Sequence, residues 1–312
     1  MKALTLAGYD GVSSLKFADP AIPDPQPHDV VIKVHAASVN PIDYRITQGY
    51  LRGRVELALP HVLGRDCSGT VIKVGSEVRE FAVGDEVYGV ADQIRWGTHA
   101  EYTAIDIATV ARKPENVDHV QAASLPVAAL SAWSGLVTVG QVQRGQNVLI
   151  HRGSGGVGSF AIQIAKHFGA NVAATGGTAS QGYLRSLGVD IAIDYSKADF
   201  ADVIKDCDLV LDLIGGDVRY QSFRVVKPGG AIVHISVPPM TQPAPRSDIA
   251  VKAAVVKYDA SLLDEVSALV RSGAIKPQVS AVYPFADSIK AYEHVMSGHA
   301  RGKIVIDMSP KN

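Results

Sequence analysis

The stretch Asn147–Gly158 reads NVLIHRGSGGVG and decides the fold of the second half of the chain. A short apolar run, typical of a buried strand, meets Gly153, Gly155 and Gly158 at the spacing G-x-G-x-x-G, and an apolar helical pattern follows. The first glycine permits a tight turn, the second lets backbone N–H groups approach phosphate, and the third lets helix and strand pack closely. Without the flanking elements these glycines would indicate only a turn; with them, they predict a dinucleotide site. The residues of that site are Gly153, Ser154, Gly155, Gly156, Val157 and Gly158.

Strand and helix patterns alternate on the carboxyl side of this turn. Apolar or β-branched runs lie at Asn171–Thr175, Ile191–Asp194, Leu209–Ile214 and Ala231–Ser236. Such alternation implies right-handed crossovers and a parallel sheet covered on both faces, so we predict a doubly wound α/β domain over residues 123–272. The helical patterns are Val127–Val139, Gln181–Leu187, Phe200–Lys205, Val218–Val226 and Ala260–Ser272.

Residues 1–122 read instead as mostly β. Short β-branched runs bounded by turn residues lie at Val30–Ala36, Gly69–Gly75 and Asp85–Val90. No strand alternates with a helix here as a parallel sheet requires. We predict a separate β-rich domain, completed by the tail 273–312.

Composition describes an ordinary soluble globular protein of two domains. The chain has 312 residues, 47% of them hydrophobic and 20% charged, with a formal net charge of -1 at pH 7. That charge gives no electrostatic reason to expect a nucleic acid or an anionic membrane as partner. The two cysteines, Cys67 and Cys207, exclude a disulfide framework and a four-cysteine zinc site. The first residues show no signal-peptide pattern, so the cytoplasm is the expected location.

The loop after the second strand of the α/β domain bears on the cofactor. In dinucleotide folds this strand normally ends in an acid that binds the adenosine ribose, whereas here no acid follows before Asp190. Thr178 and Ser180 can donate hydrogen bonds to a 2′-phosphate, which favours NADP over NAD. Alternatively, this is merely a polar loop. Arg152 either faces phosphate or is simply solvated.

The chain resembles the zinc-free quinone oxidoreductase branch, the ζ-crystallin-like branch, of the medium-chain dehydrogenase/reductase superfamily. This resemblance implies a GroES-like catalytic domain over residues 1–122, a Rossmann domain, dependence on NADPH and an active site between the domains. The segments that carry it run in family order over nearly the whole chain: Val39–Asp43, Leu63–Gly69, Gly97–Tyr102, Ala123–Pro126, Gly153–Gly158 and Gly298–Lys303.

The resemblance also places further residues at the cofactor. Tyr195 matches the family's tyrosine after the third strand, but the lysine that often holds the 2′-phosphate is replaced by Gln181 or Gly182. This departure weakens the preference for NADPH over NADH. The other residues that the resemblance places along the cofactor are Ser131, Gly215, Ser236 and Val237.

The zinc alcohol dehydrogenases of the superfamily bind zinc through a cysteine and a Gly-His-Glu segment. This chain has Asn40 at the first place and Gly64-Arg65-Asp66 at the second, and arginine does not ligate zinc. We therefore expect no metal, with Arg65 and Asp66 as a charge pair in its place. His99 and Glu101 read as structural, and His151 as either a core residue or a cofactor contact.

Without a Lewis acid, reduction suits acceptors that need little activation. Quinones and α,β-unsaturated carbonyls fit, because hydride addition to them gives a delocalised hydroquinone or enolate. The family places its substrate-side polar groups between Asn40 and Tyr50, so the candidate catalytic residues are Asn40, Tyr44 and Tyr50. Both tyrosines have a second reading as plain interior residues, and Asp43 reads as a helix cap.

Three functions remain open from the sequence. The first is an NADPH-dependent reductase of quinones or enones, and the second is a reductase of 2-alkenals or of a biosynthetic enoyl compound. The third belongs to another class: an NADPH-binding structural protein with little turnover. The resemblance further implies a homo-oligomer, a dimer or tetramer, built by an exposed edge strand near Ala231–Ser236 or Val251–Val256.

Overall fold

The computed structural model describes residues 1–92, 94–95 and 97–309, and the chain divides into two compact units. The first unit contains Met1–Val127, Tyr258–Gly273 and the chain from Pro277 onward. The second contains Ala128–Lys257 and Ala274–Lys276. The predicted tail 273–312 extends past the described residues by its last three positions.

The part of the first unit before Val127 consists mainly of short strands, as predicted. Helix α1 (Pro41–Thr47) and helix α2 (His119–Ala123) interrupt them. The strands are β1 (Ala3–Leu6), β2 (Leu15–Ala18), β3 (Asp29–Val39), β4 (His61–Val62), β5 (Asp66–Val74), β6 (Glu86–Val90), β7 (Tyr102–Asp106) and β8 (Val110–Arg112).

The following segment alternates strands with helices. Its strands are β9 (Asn147–Ile150), β10 (Asn171–Gly176), β11 (Ile191–Asp194), β12 (Cys207–Asp212), β13 (Val226–His234) and β14 (Ala250–Ala253). Its helices are α3 (Pro126–Trp133), α4 (Gly156–His167), α5 (Gln181–Ser186), α6 (Phe200–Val203) and α7 (Gly216–Ser222). The predicted helix Val127–Val139 is α-helical only as far as Trp133, and a π-helical turn, Ser134–Val139, continues it.

The tail contributes α8 (Ala260–Arg271), β15 (Val279–Pro284), α9 (Ser288–Met296) and β16 (Lys303–Asp307). No helix of the described part is long and apolar enough to cross a membrane.

Strand β3 organises the first unit because it pairs antiparallel with β5, β7 and β16. Val30, Ile32 and Val34 pack into one core, and Val39 near the carboxyl end packs into a second core that includes Ile304 of β16. The carboxyl end of β3 therefore joins β5, from the first quarter of the chain, to β16 near its end.

The second unit is a parallel sheet with strand order β11-β10-β9-β12-β13-β14, which confirms the doubly wound α/β prediction. The order changes direction between β9 and β12. In open α/β sheets, ligands bind outside the carboxyl ends of the strands at such a switch point. The glycine turn after β9 lies at this point.

Some predicted boundaries differ from the structure. Val226 begins β13 instead of ending a helix, so Pro228 and the residues around it, which lie between the predicted helix and strand, belong to β13. Strand β13 is therefore flanked by β12 and β14, so the predicted edge strand Ala231–Ser236 is interior and β14 is the edge.

Helix α8 belongs to the first unit, whereas the predicted division at 272 assigned it to the second. The buried Tyr88 hydroxyl donates to the Leu263 carbonyl at 2.7 Å and lies 2.8 Å from Ser267 Oγ. Asn116 Nδ2 donates to the Val270 carbonyl at 2.9 Å. A buried tyrosine hydroxyl needs a hydrogen-bond partner, and α8 supplies it.

Candidate active site

Packing explains the first and third glycines of the turn after β9. A Cβ at Gly153 would lie 2.7 Å from the Ala174 Cβ, and one at Gly158 would lie 2.3 Å from the Arg152 carbonyl oxygen. Arg152 itself adopts a positive φ of 53°, and the Gly153 N–H donates to the Thr175 carbonyl at 2.9 Å. The turn is therefore fixed against β10.

The second glycine caps helix α4 without a side chain. Gly155 is its N-cap, and no side chain caps the helix, so its first N–H groups point outward at the positive end of the helix dipole. A Cβ at Gly155 would meet only ordinary contacts, the Arg152 carbonyl oxygen at 3.4 Å and the Arg152 side chain beyond it. Ser154, Gly156 and Val157 are half-buried along this turn. The arrangement suits a diphosphate.

A carboxylate that sequence reasoning missed is the last residue of β11, Asp194. The parallel register pairs Gly176, at the end of β10, with Asp194. Thr178 Oγ1 donates to Asp194 Oδ2 at 2.6 Å, so its proton is committed to the acid instead of to a phosphate, contrary to expectation. Hydrogen bonds from Ser196 and then Thr178 lower the pKa of Asp194. An acid therefore lies next to the end of the second strand, supplied by its neighbour.

The remaining predicted residues of this loop are accessible. Ser180 is half-buried, and its N–H donates to the Gly177 carbonyl at 2.8 Å. Tyr195 is 65% exposed, and its hydroxyl lies 3.2 Å from where a Cβ of Gly177 would be. Both residues flank the same short loop.

The carboxyl ends of β12 and β13 form a second part of this edge. Gly215 has a φ of 80°, and a Cβ there would lie 3.2 Å from the Val237 Cβ. Ser236 also has a positive φ, of 51°, and is exposed. The structure thus brings Gly215 and Val237 together, whereas Ser131 is buried in α3. The contact of these residues with the cofactor stays a prediction.

A buried ion pair, also missed from the sequence, supports the Gly215 turn. Asp212 Oδ1 accepts the N–H groups of Ile214 and Gly215 at 2.9 and 2.8 Å. Asp212 Oδ2 accepts from Arg219 Nε at 2.6 Å, and both side chains are fully buried. The carboxylate therefore fixes the turn through charge-assisted hydrogen bonds.

The open alternative for His151 is now decided in favour of the core. Its Nδ1 lies 3.3 Å from Thr175 Oγ1, and its Nε2 lies 3.0 Å from Ser222 Oγ. Burial lowers the pKa of His151 to about 4, so the ring is neutral near pH 7.

In the first unit, Asn40 is held by charged neighbours of opposite sign. Lys303 Nζ donates to Asn40 Oδ1, and Asn40 Nδ2 donates to Asp66 Oδ2 at 2.8 Å. Because an ammonium only donates and a carboxylate only accepts, these contacts permit a single orientation of the amide. The second Nδ2 hydrogen has no acceptor among the residues described.

Asp66 is the centre of this network. It also accepts from Ser38 Oγ at 2.6 Å and from the Val127 N–H at 2.8 Å, and it lies 3.3 Å from Lys303 Nζ. The expected pair between Arg65 and Asp66 is therefore wrong, since the cation beside Asp66 is Lys303. Consecutive side chains of extended backbone point to opposite sides, which separates Arg65 from Asp66.

The two candidate tyrosines lie outside this network. Tyr44 packs against the core that contains Val39, and Tyr50 is 48% exposed beneath the Arg54 guanidinium. Neither hydroxyl makes a hydrogen bond within the described ranges. Their catalytic assignment stays a prediction.

His99 has the structural role that we expected. Its Nδ1 lies 2.8 Å from the Tyr292 hydroxyl, and its Nε2 lies 3.3 Å from the Ser38 carbonyl oxygen. Burial lowers the pKa of His99 to about 4. In residues 1–92, 94–95 and 97–309, no group of three or more His, Cys, Asp or Glu side chains is placed to hold a metal ion.

Two family models match the chain. Residues 26–115 match an alcohol dehydrogenase GroES-like domain, and residues 187–306 match a zinc-binding dehydrogenase domain.

Known proteins resemble the chain over nearly its whole length. A 2-methylene-furan-3-one reductase of Solanum lycopersicum is 37% identical over 99% of this chain and 80% of that protein. A chloroplastic NADPH-dependent alkenal/one oxidoreductase of Arabidopsis thaliana is 38% identical over 98% of this chain and 79% of that protein. The structure of a quinone oxidoreductase from Coxiella burnetii has a TM-score of 0.90, with 33% identity and 99% of each chain covered.

Asp43 gives this site a pH-dependent stability. Asp43 does not cap a following helix as predicted: Asn40 is the N-cap of α1, and Asp43 is the third residue of that helix. Its Oδ2 accepts the Asn40 N–H at 2.7 Å as the acidic half of a capping box, whereas its buried Oδ1 has no partner within the described part of the chain. Burial raises the pKa of Asp43 from 3.8 to about 7, and the charge of Asp66 adds to the rise. The unfolded chain therefore loses this proton first, so the contribution to stability is present below pH 4 and is lost as pH rises to about 7.

Asp43→Asn should remove this dependence because the amide keeps the acceptor for Asn40 and cannot ionise. We expect the variant to gain stability relative to the wild type by up to about 4 kcal/mol between pH 4 and pH 8. Urea unfolding of both proteins across this range measures the difference in their free energies of unfolding. The buried histidines contribute equally to both proteins, so their contributions cancel in this difference. A difference that stays constant with pH would contradict the assignment.

Proposed function

The chain belongs to the medium-chain dehydrogenase/reductase superfamily, and on that basis we propose that it is an NADPH-dependent oxidoreductase of conjugated carbonyl compounds that works without zinc. The observation that carries the proposal is the uncapped amino end of α4 behind a glycine turn at the switch point of a parallel sheet. The acceptors are enones, enals and quinones.

The residues of the second unit fit a dinucleotide. Gly153 and Gly158 leave no room for side chains, and the N–H groups at the start of α4 suit the diphosphate. Gly215 and Val237 border the carboxyl ends of β12 and β13, beyond the diphosphate turn. When bound, NADPH supplies the hydride for the reduction.

The residues of the first unit do not fit zinc, although one matching family model is named for it. The Asn40 amide oxygen faces the Lys303 ammonium, and the amide nitrogen faces Asp66. Arg65 is a permanent cation. A divalent cation would therefore meet positive charge where ligands should be, so no step of the reaction is assigned to a metal.

The substrate class rests on chemistry and on relatives. One relative is named as a reductase of a 2-methylene-furan-3-one, the second as an alkenal/one oxidoreductase, and the relative of known structure as a quinone oxidoreductase. The oriented Asn40 amide retains one N–H, which can donate to an acceptor oxygen. An acceptor that delocalises the added charge needs little more activation.

A homo-oligomer, a dimer or tetramer, is part of the proposal. What supports it is strand β14, which forms an edge of the parallel sheet, with Lys252 and Ala253 exposed and Val255 beyond it 85% exposed. Edge strands of this kind can pair with a second copy.

Turnover with a panel of acceptors tests the function. The absorbance of NADPH should fall when the protein is mixed with quinones, 2-alkenals or enones, because NADPH is oxidised. The ranking of turnover rates among these acceptors separates a quinone reductase from an alkenal or enoyl reductase. Tight NADPH binding without turnover of any acceptor would favour the structural-protein alternative. Zinc found by elemental analysis at one atom per chain would contradict a metal-free site.

The diphosphate assignment predicts the effect of a charge at the helix cap. Gly155 has an extended backbone with room for a Cβ, so Gly155→Asp can cap α4 without strain. Its carboxylate would take the place of the phosphate, so we expect the Kd for NADPH to rise at least about tenfold above that of the neutral control Gly155→Asn. Fluorescence titration measures the Kd of both variants for NADPH. Added salt should reduce the difference between the two Kd values, because it screens the repulsion. Equal affinities of the two variants would count against the site.

Asp194 should restrain the preference for NADPH. Its ionised carboxylate, next to the end of β10, repels a 2′-phosphate more than a ribose hydroxyl. We expect Asp194→Asn to raise the ratio of kcat/KM for NADPH to that for NADH by about tenfold. Asp202→Asn, an exposed acid after β11, is the matched control and should leave the ratio unchanged. An unchanged ratio in both variants would show that Asp194 does not face the cofactor.

A further inference from the structure

The backbone at Arg65 is held rigidly on both sides. Gly64 has a φ of 99°, and a Cβ there would lie 2.6 Å from a ring atom of His99. Asp66 is fully buried and fixed by its hydrogen bonds, and the Arg65 carbonyl accepts the Ala91 N–H at 2.7 Å. The Arg65 side chain therefore starts from a fixed position, as a preorganised binding group requires.

The Arg65 guanidinium is held against a ring instead of an acid. Its Cζ lies 4.3 Å from the ring centroid of Tyr258, within cation–π distance. Its Nε is buried and has no hydrogen-bond partner in the part of the chain that the structure describes. A buried charged donor without an acceptor is costly, and it marks a place where an acceptor from outside the protein fits.

The neighbouring carboxylates do not supply that acceptor. Asp66 is neutralised by Lys303 and by its own donors. Asp43 accepts the Asn40 N–H, and burial keeps its pKa near 7, so it carries at most a partial charge at neutral pH. Within the described residues Arg65 makes no ion pair. The guanidinium is therefore the cation in this cluster that is free to meet new negative charge.

We propose that Arg65 is a catalytic residue whose guanidinium binds the carbonyl oxygen of the conjugated acceptor and stabilises the negative charge that hydride addition creates there. The inference rests on the proposed reductase function. The Tyr258 ring positions the guanidinium from one face.

The reaction places charge on that oxygen in a defined way. The β carbon of an enone gains a C–H bond with the electron pair of the hydride, the C=C electrons shift toward the carbonyl, and its oxygen becomes an enolate oxyanion. The α carbon then takes a proton from water, which restores the carbonyl in the saturated product. The acceptor is reduced by two electrons, and the nicotinamide is oxidised by two.

Arg65→Gln tests this assignment by removing the charge while keeping a similar length. We expect kcat/KM for but-3-en-2-one to fall about a hundredfold, as when an oxyanion donor is lost. The fall should be smaller with 1,4-benzoquinone, because the hydroquinone anion is less basic than an enolate. Arg65→Lys keeps the charge but loses the planar guanidinium. Its kcat/KM should therefore lie between those of the wild type and Arg65→Gln.

The controls separate catalysis from structure. Because Arg65 lies in the first unit and the diphosphate turn in the second, the Kd for NADPH of Arg65→Gln should match the wild type. Because the substitution removes a buried donor that has no acceptor among the residues described, the urea midpoint should not fall. Equal losses with both acceptors, or no loss with either, would overturn the assignment.

A second measurement needs no turnover. The phenolate of 4-nitrophenol absorbs visible light and mimics the oxyanion, so its titration in the presence of the protein and NADP⁺ reports the binding group. The wild-type protein should increase the acid dissociation constant of 4-nitrophenol at least about tenfold, and the Arg65→Gln variant should not. An identical titration with both proteins overturns the role of Arg65 even if acceptors are reduced. A shifted titration without turnover of any acceptor overturns only the proposed function.

Discussion

The buried pair between Lys303 and Asp66 is the interaction on which the substrate side of this protein depends. It joins β16 near the end of the chain to β5, across 237 positions, and fixes the Asn40 amide between its two charges. Burying two charges is costly, and a pair recovers that cost only when the remaining donors and acceptors are satisfied. Here the Ser38 hydroxyl and the Val127 N–H donate the remaining hydrogen bonds to the Asp66 carboxylate. The pair therefore specifies one arrangement of the first unit.

The α/β half could be predicted from sequence because its signals are local. A strand, a glycine turn and a helix are adjacent in the chain, and alternating strands and helices leave few topologies. The wrong element boundaries arose where pairing between distant segments overrides local turn signals. Pro228 and its neighbouring glycines lie inside β13, and α8 belongs to the first unit because Tyr88 needs a partner there.

The site was predictable only in part, for the same reason. Asn40 and the glycine turn belong to contiguous motifs, whereas Asp194 reaches the cofactor loop through the register of two parallel strands. Lys303 reaches Asn40 through the pairing of β16 with β3, which no spacing in the sequence reveals. Thr178 was correctly placed in the loop, but its proton goes to an acid that sequence reasoning did not connect with it.

The two cations that act on Asp43, Lys303 and Arg65, have different capacities for chemistry. Lys303 donates to Asn40, lies beside Asp66 and is 4% exposed, so its charge is already balanced and serves to orient its neighbours. Arg65 faces an aromatic ring and keeps a buried N–H without an acceptor among the residues described. A charge that folding has already neutralised gains little from a new anion, whereas an unbalanced one gains more in a site of low dielectric. The division assigns Lys303 to positioning and Arg65 to the oxyanion.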